Sequence, residues 1–170
     1  YAQALAYDPI VELNQDLEMV PILAESVTTE DNQTFVVKLR EEAKWSDGEP
    51  ITADDVIFTV KKLTSRDLAN PSMSTWYGVK GFGEDGFLEE GVEEVEGMYK
   101  EDDKTVVFVT HNPVPLVSFE NTYLRYLLPV PSHILGDRDS RTLLTDPWFL
   151  APEVVSGPYF PTSFDSNNHV

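Results

Sequence analysis

The chain of 170 residues contains no cysteine. Thiol catalysis, disulfide scaffolding and cysteine-based zinc sites are thereby excluded, and the absence fits an exported protein. Histidine is scarce as well. His111, His133 and His169 lack metal-ligand spacing, and each stands by a proline or turn signal or near the end of the sequence, so they are expected to be structural or exposed. Basic residues number twelve against thirty acidic ones, and the net charge of −18 would repel nucleic acid and anionic lipid headgroups. No window approaches the roughly 18 apolar residues of a membrane-spanning helix. The longest apolar clusters are short, such as Val106–Val109 and Tyr126–Val130, the latter holding Pro129. Tyr1 is followed by neither the basic n-region nor the apolar h-region of a signal peptide.

What is present describes an ordinary globular composition, 41% hydrophobic and 25% charged, in a chain long enough for one good core or for one domain plus part of another. The charge is uneven. Glu84–Asp103 holds ten acidic residues against Lys100 alone, a local net of −9 and half of the total. The stretch reads as a solvated acidic face, because it lacks the Asp-x-Asp-x-Asp-Gly loop that arranges oxygens around calcium.

Twelve prolines and nine glycines cut the chain into short elements, and no solenoid-length repeat is visible. Thr34–Arg40 alternates, with Phe35, Val37 and Leu39 on one face, and predicts a half-buried strand. Ser46-Asp47-Gly48-Glu49-Pro50 predicts a turn. A helix is predicted over Ala53–Leu63: Thr52 suits the N-cap, Asp54 and Asp55 favour the first turn, Lys61 and Lys62 favour the last, and Val56, Ile57, Val60 and Leu63 form one apolar stripe. Ser65–Asp85 is loop-rich. Val92–Tyr99 and Thr105–Thr110 predict an antiparallel hairpin, the second strand covered on both faces. Short helices are predicted over Pro115–Leu124, after a capping Ser132, and over Ser140–Leu144, with Leu128–Pro131 extended between the first two. Pro152–Phe164 reads as a strand or turn needing partners from elsewhere to cover it, and the sequence is expected to be a piece of something larger.

Catalysis needs a nucleophile with a base, paired carboxylates or a metal. Asp54-Asp55 is explained by the helix start, and Ser156-Gly157-Pro158 lacks the glycine of a nucleophile elbow, since position 154 is valine. Gly78–Gly86 is followed by neither a helix start nor the Lys-Ser/Thr pair of a phosphate cradle. No catalytic residue is assigned. Binding needs less, namely aromatic and polar groups lining a cleft. Trp76 and Tyr77, beside Ser72, Ser74 and Thr75 in a glycine-flanked loop, are the candidates for ligand contact. No metal site or cofactor is expected.

One stretch is more specific than all of this. Leu23-Ala24-Glu25-Ser26, then Val37-x-Leu39-Arg40, then Trp45-x-Asp47-Gly48-x-Pro50-x-Thr52-Ala53-x-Asp55-Val56 resembles the signature of the family 5 extracellular solute-binding proteins, the oligopeptide-, dipeptide- and nickel-type receptors of ABC importers. Asp103–Phe108, Pro131-Ser132-His133-Ile134-Leu135 and Ser156-Gly157-Pro158-Tyr159 look like further family elements in the same order. Val27 stands where tryptophan is usual, Val37 where phenylalanine is, and Ser132 where lysine is common. Val155-Ser156 replace a Gly-Thr.

The resemblance implies an α+β fold of mixed, largely antiparallel strands with short helices, part of lobe I of a periplasmic-binding-protein-like (type II, cluster C) two-lobed architecture. It implies that residues 1–50 and 145–170 are segments of the lobe I core sheet, that 51–144 form an inserted α+β subdomain, and that the second lobe is absent from this chain. By the same likeness the chain is expected to be part of the substrate-binding component of a peptide ABC importer, without enzymatic activity. Its partners would be an oligopeptide ligand and the permease subunits. The receptor would be monomeric, at the outer face of the cytoplasmic membrane or in the periplasm, and held to the membrane only by a lipid anchor outside this chain. The alternatives are a receptor for another solute (a nickel chelate or an oligosaccharide), an acidic hydrolase domain, or a surface interaction module on the same scaffold.

Overall fold

The computed structural model describes residues 6–68, 70–89, 91–138, 141, 148 and 151–159, the side chains of 71–73 excepted. Its centre is a four-stranded antiparallel sheet of β3 (Ala24–Thr28), β4 (Thr34–Leu39), β5 (Met98–Asp102) and β6 (Thr105–Val109), in the order β3-β4-β6-β5. A small hairpin, β1 (Val11–Leu13) with β2 (Met19–Pro21), precedes it.

The alternation along β4 does what its sequence predicts. Phe35, Val37 and Leu39 are fully buried, because a period of two sends every second side chain to one face. β6 is buried on both faces, as its continuous Val-Val-Phe run requires: β4 and β5 flank it, and Phe35 faces Phe108 while Val37 faces Val106. The β5–β6 hairpin is present with a shifted boundary. Its first strand starts at Met98 rather than Val92 and continues through Asp102, so the turn is Asp103-Lys104. Glu101 and Asp102, which lie between the two predicted strands, thus belong to β5.

The helix α1 (Ala53–Leu63) matches its prediction end to end. Ala53, Val56 and Val60 are buried and turned toward the sheet. The carboxylate of Asp55 accepts the Thr52 backbone N–H at 2.9 Å, the reach-back half of a capping box. Three further elements are short: the 3-10 helix Pro71–Gly78, α2 (Leu116–Phe119) and α3 (Ser132–Leu135). The first replaces the expected loop. α2 runs on into a wide turn, Glu120–Leu124, closed by the Arg125 N–H on the Glu120 carbonyl at 2.9 Å. Ser132 is the first residue of α3 rather than its cap, and its hydroxyl is used elsewhere. The helix expected at Ser140–Leu144 lies outside the described residues but for Arg141.

Of the segment Pro152–Phe164, expected to be a strand or turn covered from elsewhere, residues 160–164 lie outside the described residues, and Tyr159 is 63% exposed. Residues 151–159 form turns bound to the start of the chain and to the Asp-Gly turn. Ser156 N–H and Gly157 N–H donate to the Ala6 carbonyl, Asp8 N–H donates to Ser156 Oγ, and Val155 and Ser46 exchange two bonds of 2.8 and 3.0 Å. Tyr7 packs edge-on against Trp45 and beside Trp148 below them. The two outer segments, 1–50 and 145–170, therefore touch where both are described. The boundary expected at residue 50 falls between β4 and α1, and the sheet spans it, since β4 before it pairs with β6 after it.

Candidate functional site

The signature stretch folds into a self-bonded corner rather than an open site. Gly48 has φ of +95°, a conformation the Asp-Gly turn needs and a side chain would oppose. The turn returns the chain so that Trp45 N–H donates to the Glu49 carbonyl at 2.8 Å. Asp55, buried at 2% exposure, then accepts from Trp45 Nε1 at 3.3 Å, from Thr52, and from both the N–H and the hydroxyl of Ser132, at 2.9 and 2.7 Å. Thr59 Oγ donates to the Asp55 carbonyl and accepts the Val130 N–H. Lys104 Nζ, reaching across from the β5–β6 turn, donates to the Ile51 carbonyl at 2.8 Å and to those of Arg40 and Ala43 at longer range. His133 Nε2 meets Asp47 at 2.8 Å, so this histidine is structural, as its setting suggests. The hydrogen bond from His133 is the main reason the Asp47 carboxyl lies below the ordinary range.

A recess suited to a ligand group lies elsewhere, where the 3-10 helix meets the wide turn after α2. Adjacent residues of a tight helix point in different directions. Trp76 accordingly turns inward, 4% exposed, and Tyr77 outward, 61% exposed. The indole of Trp76 packs on Phe82, Phe108 and Tyr123, with centroids 5.4, 6.0 and 5.2 Å away. Tyr123 donates its hydroxyl to the Thr75 carbonyl at 3.2 Å, and burial raises its pKa, with a smaller contribution from Tyr77. A Cβ at Gly78 would collide with that hydroxyl, so glycine lets the two segments close together.

Between them opens a cleft of about 370 Å³, with Leu63, Thr75 and Trp76 on one side and Asn121, Tyr123 and Tyr126 on the other. None of its described lining residues is charged, in a chain of net charge −18. Tyr126 stands on the rim, 67% exposed, with the Arg125 guanidinium over its ring at 5.1 Å. The structure thus joins Trp76 to Tyr123 and Tyr126 and leaves Tyr77 outside the cleft lining. Tyr123 and Tyr126 are not among the residues singled out from the sequence. Their spacing of three across the end of the predicted helix Pro115–Leu124, which places two rings on one side of a turn, is the available signal.

A second and larger groove, about 560 Å³, runs along the outer face of α1 past Ile57, Phe58, Lys61, Arg66, Leu88 and Val92. It is crossed by ion pairs, Arg66 to Asp85 at 2.8 Å and to Glu89 at 2.7 Å. Among the described residues no group of three or more acidic or histidine side chains could hold a metal ion, and no helix is long and apolar enough to cross a membrane.

The likeness seen in the motifs extends over the chain. The family described as "Bacterial extracellular solute-binding proteins, family 5 Middle" matches residues 18–170. The periplasmic oligopeptide-binding protein OppA of Haemophilus influenzae is 32% identical over 133 residues, covering 75% of this chain and 24% of that protein. A solved structure of Haemophilus influenzae OppA in complex with the peptide RPPGFSPFR superposes with a TM-score of 0.75 at 27% identity, over 99% of this chain and 32% of that one. The oligopeptide-binding protein AppA of Bacillus subtilis, solved with a nonapeptide, has a TM-score of 0.78 at 24% identity, over 96% of this chain and 29% of that one, and speaks for the fold. The chain thus spans roughly a quarter to a third of these relatives' length. With the signature corner, the sheet and the family match in agreement over most of its length, the chain belongs to the bacterial extracellular solute-binding proteins of family 5.

Proposed function

We propose that this chain forms part of the ligand-holding body of a receptor that captures peptides for an ABC importer, and that the uncharged aromatic cleft at Trp76, Tyr123 and Tyr126 contributes to the wall against which the peptide lies. The single observation carrying the second half is the composition of that cleft. Aromatic faces with amide and hydroxyl groups between them accept varied peptide groups by contact and water-mediated bonds, without demanding a particular charge. Family membership and the oligopeptide-binding protein of Haemophilus influenzae support the first half. Tyr77, exposed one residue from the cleft, is proposed as an outer contact on the same ligand.

In this reading the peptide is held in an extended form by backbone hydrogen bonds. Closure of a complete receptor around it then shifts the population toward the form the permease accepts. The receptor acts as a monomer without catalysis, in the periplasm or outside the cytoplasmic membrane, tethered by a lipid anchor that does not belong to these residues.

Titration calorimetry on the full-length receptor with short peptides tests this, with dissociation constants of about 1 μM or tighter expected. The 170-residue chain alone is expected to bind the same peptides far more weakly. Tyr126→Ala should weaken binding in the full-length protein with the melting temperature unchanged, because the ring is exposed. Undetectable peptide binding by the full-length receptor would remove the ligand assignment. Unaltered binding in both Tyr126→Ala and Tyr77→Ala would remove the cleft from it.

A further inference from the structure

Positive charge in this fold is scarce in space as well as in sequence, and where it occurs it is shared. Lys100 Nζ lies 2.6 Å from Asp54 and 3.1 Å from Asp103, one ammonium between two carboxylates. Arg66 is divided in the same way between Asp85 and Glu89. The same stretch carries Glu84, Glu93, Glu94, Glu96 and Glu101. All five are exposed, and among the described residues none is held in an ion pair. The Glu84–Asp103 stretch is drawn back along α1 by the Leu88 N–H bond to the Thr64 carbonyl, by Lys61 Nζ on the Glu93 carbonyl, and by β5 itself. The aspartates of the helix start thereby meet the acidic turn of the hairpin.

The sign of the salt effect follows from the balance of these forces. Exposed ion pairs add little stability, so their screening removes little. Repulsion among like charges acts over a Debye length of about 10 Å at 0.1 M salt and about 3 Å at 1 M, so concentrated salt removes most of it. An unfolded chain spaces the same charges further apart and gains less from screening. We propose that this fold depends on concentrated salt for its stability, through screening of the acidic face formed by Glu84–Asp103 and the start of α1, and that it is built to work in a medium of high ionic strength. The proposal is independent of the ligand reading above.

Thermal unfolding of the chain between about 0.05 and 2 M NaCl tests it, beside sucrose of matched osmolality, because excluded solutes also favour compact states. The melting temperature should climb by about 10 °C or more in salt, and by clearly less in sucrose. A variant carrying Glu84→Gln, Glu93→Gln, Glu94→Gln, Glu96→Gln and Glu101→Gln should start higher at low salt and climb less than half as far. A variant with only Glu93→Gln and Glu94→Gln should fall between, and it carries the comparison if the larger one fails to fold. A flat or falling curve for the unaltered chain overturns the proposal, as does an equal climb in chain and variants or an equal effect of sucrose.

Discussion

Asp55 Oδ1 accepts two hydrogen bonds from Ser132, one from the backbone N–H at 2.9 Å and one from the hydroxyl at 2.7 Å, across 77 residues of sequence. The other oxygen of the same carboxylate receives Thr52 N–H and Trp45 Nε1. One buried side chain therefore joins the Asp-Gly turn, the start of α1 and the start of α3. Removing it leaves several donors without an acceptor, and each buried unpaired donor costs about 1–3 kcal/mol. Asp55→Ala should lower the unfolding free energy by about 3 kcal/mol or more, measured by chemical denaturation, with Asp55→Asn retaining part of the loss. A change below about 1 kcal/mol for the alanine variant would mean that water replaces the carboxylate.

Gly78 and Tyr123 should be coupled. Gly78→Ala drives a methyl group into the Tyr123 hydroxyl and should cost about 1–3 kcal/mol by overpacking. Tyr123→Phe gives up the bond to the Thr75 carbonyl and clears that space. The double variant should therefore be less destabilised than the two single losses added together. Additive losses in a double-mutant cycle would refute the coupling.

Glu120 is 8% exposed in the wide turn after α2, and burial raises its carboxyl pKa. For an acid, a raised folded-state pKa means that ionisation costs stability. The cost is present above the folded pKa and fades as pH falls through that value toward the ordinary carboxylate range. Glu120→Gln should accordingly raise the melting temperature at neutral pH, with the advantage shrinking by about pH 4. A variant equal to the unaltered chain at both pH values would show that the ionised carboxylate is well solvated.

The Asp47–His133 pair has the opposite sign. The partner holds the Asp47 carboxyl below its ordinary value, so this stabilisation is present above the unfolded-state pKa and is lost as pH falls through the folded one. Both side chains keep about a third of their exposure, and the pair should contribute no more than about 1 kcal/mol. A cycle of Asp47→Asn and His133→Gln, followed by denaturation, should show coupling of that order at pH 6 (roughly) and none near pH 2. Coupling that persists in acid would point to packing rather than charge.

What could be read in advance follows the range of the forces involved. The strand β4 and the helix α1 were legible because period-two burial, N-cap chemistry and terminal charges all act within a few residues. Family membership was legible for a related reason. The Trp45-x-Asp47-Gly48-x-Pro50-x-Thr52 signature is the local half of the corner that Asp55 closes. The 3-10 helix at Pro71–Gly78 was less legible, since its eight residues carry no one-sided apolar pattern.

By itself, then, the sequence determined β4, α1, the β5–β6 pairing, the family and the charge, each set by residue types and short spacings. Only the tertiary structure decided which distant groups meet. It turned Trp76 inward to Tyr123 and Tyr126 and left Tyr77 outside. It gave the Ser132 hydroxyl to Asp55 instead of to its own helix, tied residues 151–159 back to Ala6 and Ser46, and set two carboxylates against each of Lys100 and Arg66. These contacts depend on how the sheet and helices pack, and residue spacing along the chain carries little information about groups brought together across dozens of residues.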